Sequence, residues 1–365
     1  MRVLIAGGGS AGHINPAISI AKEIKKHNRE SDILFIGSKK GLEKDLVPRE
    51  GFEIEFIEIE GFKRPFGIKS LKTVLIMIKG FVQANRIVKQ FKPDIAIGTG
   101  GFVSGPAIFA SHMHKAKVLI HEQNAYPGIT NRMLAKYTDV AMTSYESALK
   151  FFTKSKKAVL TGNLIDDSFS KSVKYEPHDG IKTVVIMGGS QGAMTINNTV
   201  IGMINDYMSD KDFNLIFAPG KRHYEEVISR ITKKLDNVVI NDYIYDREKV
   251  YGIADLMVIR GGATTLSEVL ALGKPSIVIP SPFVPDNAQE RNAEQIYNKE
   301  ACELIYDNKE FNSKALYDKI MHLLENRDKL QNLSNNAYTL GIRDANERVY
   351  KEFLEVINEI DGFRE

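Results

Sequence analysis

Two glycine-rich turns occur twice in this chain, in the same order, each directly after a short apolar run. Val3-Leu4-Ile5-Ala6-Gly7-Gly8-Gly9-Ser10 is echoed by Val184-Val185-Ile186-Met187-Gly188-Gly189-Ser190-Gln191, and Gly100-Gly101 by Gly261-Gly262. A strand that ends in glycines and leads into a helical stretch opens a βαβ unit, whose strands lie parallel. Two such openings in each half predict an α/β protein of two Rossmann-like domains, each with glycine turns at its strand ends. Strands are expected at Val3–Ala6, Ile33–Ile36, Glu53–Ile57, Ile95–Gly98, Val118–His121 and Asp139–Met142. In the second half they are expected at Thr183–Met187, Asn214–Phe217, Asn237–Ile240, Leu256–Ile259, Ser276–Ile279 and Cys302–Ile305.

The polar stretch Ser168 to Lys182, with Pro177 and Gly180, is the expected linker. The domains are expected to span 1–163 and 164–342. A final amphipathic helix, 343–360, carries Val349, Phe353, Val356 and Ile360 on one face and is expected to pack back across the junction onto the first domain. The interval Gly7–Gly100 exceeds Gly188–Gly261 by about twenty residues, which places an extra segment between Glu60 and Lys89.

The length of 365 residues suits two domains. A net charge of +3 is too small to argue for nucleic acid, and none is expected as a partner. Cys302 is the only cysteine, which excludes intramolecular disulfides and cysteine-based metal clusters, and its neighbours predict a buried thiol. No window approaches the ~18 apolar residues of a membrane-spanning helix, and the run after Arg2 is too short for a signal peptide. The expectation is a cytosolic protein whose membrane contact is peripheral. No histidine pair has metal-ligand spacing, and neither G-x-S-x-G nor a P-loop lysine is present, so no cofactor or metal is expected. Asp210-Lys211-Asp212 precedes a strand and reads as a solvated turn.

Gly7-Gly8-Gly9-Ser10-Ala11-Gly12 contains G-x-G-x-x-G, but a dinucleotide site also needs an acid at the end of the second strand, where this chain has Gly37-Ser38-Lys39-Lys40. An NAD or FAD enzyme is therefore disfavoured. What the loop offers is a close backbone approach and a helix start, with His13 placed either as a helix-start residue or in the crevice between domains. In Gly261-Gly262-Ala263-Thr264-Thr265-Leu266-Ser267-Glu268, the glycines would let a diphosphate reach the helix amides. Glu268 would either accept ribose hydroxyls or complement the helix dipole. The loop Ser281 to Asn292, including Gln289, reads as sugar-binding or as a capped helix start. His121-Glu122-Gln123-Asn124 ends a parallel strand, where ligands bind in such sheets.

Taken together, these segments resemble the MurG family of UDP-N-acetylglucosamine:N-acetylmuramyl-(pentapeptide)-pyrophosphoryl-undecaprenol N-acetylglucosaminyltransferases. The likeness rests on Gly7 to His13, Gly98 to Pro106, His121 to Asn124 with Gly128 and Asn131, Gly188 to Ala193, Arg260 to Ala263, and Asp286 with Gln289. It implies a GT-B fold, with two parallel sheets facing across a crevice, and an inverting transfer of GlcNAc from UDP-GlcNAc to the muramyl C4 hydroxyl of an undecaprenyl-linked acceptor. This would take place at the cytoplasmic face of a bacterial membrane. Donor-site roles fall on Ser10, Ala11, Gly12, Asn124, Ser190, Ile244, Ala263, Thr264, Thr265, Leu266, Ser267, Glu268 and Gln289. Ile244 would frame the uracil, Glu268 the ribose and Gln289 the GlcNAc hydroxyls. His13 and Glu122 are both candidates for the base. The chain departs from the family at Asn163-Leu164-Ile165-Asp166, where the usual Asn-Pro-(Ile/Val)-Arg would contribute an arginine to the donor site. A transferase for another glycolipid or a small aglycone, or a UDP-GlcNAc epimerase, is the rival reading.

The extra segment, Ile68 to Lys89, predicts a helix with Ile68, Leu71, Leu75, Ile78 and Val82 on one face, widened by Val74, Phe81 and Val88. Lys69, Lys72, Lys79, Arg86 and Lys89 are interspersed and no acid occurs, although the chain has 46 acidic residues. Much of that face is expected in the core, and its outer residues against an anionic membrane surface.

Overall fold

The structure, a computed structural model, describes residues 1–61, 69–171, 174–189, 192–210 and 212–362, with side chains except at 69–72, 170–171 and 361–362. The chain divides into two units, Met1–Ile165 with Asp344–Glu365, and Asp166–Arg343. In the first, β1 (Arg2–Gly7), β2 (Asp32–Ser38), β3 (Glu53–Ile57), β4 (Ile95–Gly100), β5 (Lys117–Glu122), β6 (Val140–Thr143) and β7 (Lys157–Leu160) form one sheet. Its order is β3-β2-β1-β4-β5-β6-β7, and every pair is parallel. In the second, β8 (Thr183–Met187), β9 (Asn214–Ala218), β10 (Val238–Ile240), β11 (Leu256–Ile259), β12 (Ser276–Val278) and β13 (Glu303–Leu304) follow the order β10-β9-β8-β11-β12-β13, again all parallel. Both are doubly wound Rossmann-like sheets.

In each sheet the order reverses between its first and fourth strands, and ligands of such sheets bind beyond the strand ends at that point. The glycine turns stand there. Gly8 N–H donates to Gly100 O at 3.3 Å. A Cβ on Gly101, whose φ is +81°, would lie 2.2 Å from the carbonyl oxygen of Gly8. Only glycine fits.

The first sheet is covered on one face by the helix Ala11–His27, through Ile14, Ile18, Ile20 and Ile24, and by the final helix Ala345–Gly362, through Val349, Phe353 and Val356. His27 stacks on Tyr350 at 4.2 Å, and Lys157 pairs with Glu352 and Glu355 at 2.6 and 2.7 Å. The other face packs against Ala84 and Val88 of the helix Lys69–Phe91 and Ala107 and Ile108 of the helix Ser104–Met113.

The structure corrects three expectations. β7 was not anticipated, because an edge strand of four residues that begins at Lys157 leaves only Ala158, Val159 and Leu160 as an apolar signal. The stretch from Ser168 is no linker. The units divide before Asp166, a helix runs Asp167–Lys171, and Tyr175 is buried with its hydroxyl donating to Asp255 at 2.9 Å. In the helix Lys69–Phe91 the stripe Leu75, Ile78 and Val82 faces outward, 61%, 56% and 60% exposed, while Phe81, Ala84 and Val88 face the core. Two apolar faces on one helix give the same periodicity whichever one is covered. Ile68 and the side chains of Lys69, Leu71 and Lys72 lie outside the described residues. Cys302 is buried, and burial pushes its thiol up to about 12.

Because the final helix completes the first unit's core, Phe353→Ala should cost about 3–5 kcal/mol. Hydrogen exchange should show lost protection in β1 and β4, with β8 and β11 keeping theirs.

Candidate active site

In the first unit the loop after β1 runs to Ser10, the exposed N-cap of the helix Ala11–His27, with Ala11 and Gly12 in the first turn and His13 behind them. The loop's anion-binding capacity is already engaged. Gly9 N–H donates to Glu43 Oε2 at 3.1 Å, and Ser38 donates to Glu43 Oε1 from its backbone at 2.9 Å and its hydroxyl at 2.8 Å. A dinucleotide phosphate at Gly9 would meet this buried carboxylate.

His13 is held by a chain of three hydrogen bonds whose direction can be worked out. Gly162 O can only accept, so His121 donates to it from Nε2, at 2.9 Å. His121 is fully buried, and burial pushes its pKa down to about 4, so the ring is neutral and Nδ1 carries a lone pair. Gln123 Nε2 donates to that Nδ1 at 3.1 Å, which turns Gln123 Oε1 toward His13. His13 therefore donates from Nδ1 to Oε1 at 3.1 Å, and its Nε2 is the acceptor nitrogen. Gly100 backs the imidazole, since a Cβ there would lie 2.9 Å from the His13 ring.

Glu122 is differently engaged. Its Oε1 accepts from the backbone and side-chain N–H groups of Asn124, at 3.0 and 3.2 Å. Its Oε2 accepts from Gly128 N–H at 3.1 Å and Asn131 Nδ2 at 2.9 Å. The buried carboxylate, Asn124 and Asn131 together shape the loop beyond β5.

In the second unit the helix Ala263–Leu272 begins just past the β11 turn, and the amides of Ala263 and Thr265 precede its first internal bond, Leu266 N–H to Gly262 O. Leu266 is buried, and Ser267 Oγ donates back to Ala263 O at 2.9 Å, so their side chains serve the helix itself. Glu268, one turn in, is buried and accepts from Arg247 Nη1 at 2.5 Å. Its Oε2 is buried, and the buried Tyr251 hydroxyl is the carboxylate's other hydrogen-bonding neighbour. Burial pushes the Glu268 pKa up to about 7, with Arg247 opposing and Asp166 adding to the shift. Gln289 Oε1 accepts from Ser281 N–H at 2.9 Å, which leaves its amide hydrogens to face the loop, and Ile244 is buried in the loop after β10. Arg260 is structural, donating to Ile279 O and Pro280 O and pairing with Asp307 at 2.8 Å. Ser190 and Gln191 lie outside the described residues, and Thr264 stands in the first turn with Ala263 and Thr265.

The sequence reading lacked Glu43, the bridging role of Gln123, and Arg247. Each acts on a partner far along the chain, at separations of 34, 110 and 21 residues, where no local pattern announces it.

Models of the glycosyltransferase family 28 N-terminal domain and C-terminal domain match residues 3–143 and 183–349. A UDP-N-acetylglucosamine–N-acetylmuramyl-(pentapeptide) pyrophosphoryl-undecaprenol N-acetylglucosamine transferase of Caldanaerobacter subterraneus subsp. tengcongensis is 43% identical over 363 residues, covering 96% of this chain and 98% of the relative. The crystal structure of Acinetobacter baumannii MurG aligns with a TM-score of 0.79 at 25% identity, covering 97% and 99% of the two chains. The UDP-GlcNAc 2-epimerase from Neisseria meningitidis, at 14% identity, 97% and 100% coverage and a TM-score of 0.65, shares the fold alone.

The raised Glu268 pKa has a consequence for stability. An unfolded carboxyl ionises near 4.5 and this one near 7, so the folded form holds its proton more tightly. Stability is therefore lost as pH rises from 4.5 to 7, by about 3–4 kcal/mol at ~1.4 kcal/mol per tenfold change. Glu268→Gln has no such group. Denaturant unfolding should show its stability relative to the parent rising across this window and levelling above it; parallel pH curves would contradict the assignment.

Proposed function

The chain belongs to glycosyltransferase family 28, and from that premise we propose that it transfers N-acetylglucosamine from UDP-GlcNAc to the C4 hydroxyl of undecaprenyl-diphospho-MurNAc-pentapeptide, with inversion. The observation that carries this is the 43% identity to a transferase of that name over nearly the whole of both chains. Glycine turns at both sheet reversals support it, as does a loop whose Gly9 amide is occupied by Glu43. Label from UDP-[14C]GlcNAc should enter the lipid fraction only when the undecaprenyl-linked acceptor is present. An epimerised nucleotide sugar with unlabelled lipid would overturn the reading in favour of the epimerase.

In this reading the C4 oxygen attacks the anomeric carbon, the bond to the UDP oxygen breaks, and the hydroxyl proton passes to a base. His13 suits that role better than Glu122. Four N–H groups occupy the Glu122 carboxylate, whereas the relay through Gln123 leaves His13 Nε2 as an acceptor. The first unit supplies the base and the acceptor loops, and its Ser10, Ala11, Gly12 and Asn124 keep the donor roles that the resemblance gives them. The second supplies the remaining donor contacts. There the helix start at Ala263 and Thr265 would stabilise the departing diphosphate, with Glu268 on the ribose, Ile244 at the uracil and the Gln289 amide on the sugar. His13→Ala should lower kcat by ~10²–10⁴-fold with UDP affinity unchanged. A folded Glu122→Gln variant that loses as much would reassign the base.

The acceptor's lipid would bring the enzyme to an anionic membrane surface at the cytoplasmic face. Among the described residues no helix is long and apolar enough to cross a membrane. The outward stripe Leu75, Ile78 and Val82, with Val74 and Met77 beside it, suits shallow insertion among headgroups. Lys79 adds less charge than its sequence suggests, because it pairs with Glu58 at 2.6 Å. Leu75, Ile78 and Val82 changed together to Gln should weaken binding to phosphatidylglycerol vesicles by about tenfold or more while activity on a short-chain, water-soluble acceptor persists. Co-sedimentation unchanged by the triple variant would take this helix out of the membrane contact.

A further inference from the structure

The surroundings of Glu268 hold a charge arrangement that departs from the resemblance at one position. Asp166 stands where the resemblance places an arginine, and it acts on Glu268 as a like charge. Its Oδ1 accepts from Ser168 N–H at 3.0 Å, which caps the helix Asp167–Lys171. Opposite, at the start of the helix Arg247–Ile253, Arg247 reaches Glu268 Oε1, and its guanidinium lies 5.8 Å from the Phe169 ring centroid. A cation missing at one position is present at another, on a different helix of the same unit.

Glu268 offers a reason for the pairing to change. A carboxylate that holds two ribose hydroxyls needs both oxygens, and here Arg247 occupies one of them, with the buried Tyr251 hydroxyl also beside the carboxylate. A ribose arriving at Glu268 would displace the guanidinium. The amides of Ala263 and Thr265 precede Glu268 by five and three residues, roughly 7.5 and 4.5 Å along the axis, within an arginine's reach. We propose that Arg247 is a donor-site residue of this enzyme, shielding Glu268 until a nucleoside diphosphate binds and then pairing with the diphosphate in place of the arginine absent at position 166. The planar fork of the guanidinium fits two phosphate oxygens as it fits a carboxylate. The proposal rests on the donor-site reading above.

Calorimetry with UDP and with uridine separates the two. The ligands share the ribose and differ in the diphosphate. Arg247→Gln should weaken UDP by about tenfold or more beyond any change in uridine, and Arg247→Lys should recover part of the preference. Adding Asp166→Arg to Arg247→Gln should also recover it, since a cation is returned from the other side. Equal losses of UDP and uridine in a folded Arg247→Gln would show that the arginine only neutralises Glu268, and would overturn the proposal. An unchanged UDP preference in both single variants would do the same. Failure of the underlying reading looks different: Glu268→Gln would leave UDP and uridine binding untouched.

Discussion

Everything in this molecule that resembles a site depends on how closely two strand ends approach where a parallel sheet reverses its order. Between β1 and β4 the backbone of Gly101 passes so near the Gly8 carbonyl that no side chain fits, and the Gly8 amide bonds to Gly100. That closeness leaves room beside the sheet edge for His13, which rests against Gly100. In the second sheet the close approach is a different one, of Gly261 after β11 to the backbone of Gln289 in the helix Ala288–Tyr297. Glycine here is a steric requirement of the topology, and the polar side chains around it take positions that the topology has already left open.

Those side chains are fixed by hydrogen bonds made in a definite direction. One carbonyl, Gly162 O, sets the tautomer of His121; His121 sets the amide of Gln123; Gln123 sets which nitrogen of His13 holds the proton. A chain of neutral groups transmits this orientation without placing a net charge in the core, where charge is costly. Glu122 follows the opposite course and keeps its charge buried by gathering four N–H donors. Adjacent residues on one strand thus serve different ends, which their order along the chain does not reveal.

The alternation of short apolar runs with helical ones made both sheets legible, because parallel strands buried on both faces read as continuous apolar segments. The glycine echoes located the reversal points for the same reason that they are sterically required. What escaped was set by distance along the chain or by what covers a surface. Glu43 under the first glycine loop and Arg247 on Glu268 depend on tertiary contacts. The short edge strand at Lys157 carries little apolar signal, and the stretch at Ser168 looks like a tether until Tyr175 is seen buried on Asp255. On the helix Lys69–Phe91 the apolar period was plain, but periodicity does not say which of two apolar faces meets the sheet.

The final helix bears on how the chain acquires this structure. The first unit is made of residues 1–165 and of the segment after 343, so the second unit is an insertion within it. As the chain leaves the ribosome, the second sheet can complete its own core while one face of the first still waits for Val349, Phe353 and Val356. Domains usually finish in the order of their synthesis; here the one begun first closes after the second, and Ile20, Ile24 and Leu164 stay partly uncovered until the helix Ala345–Gly362 has been made.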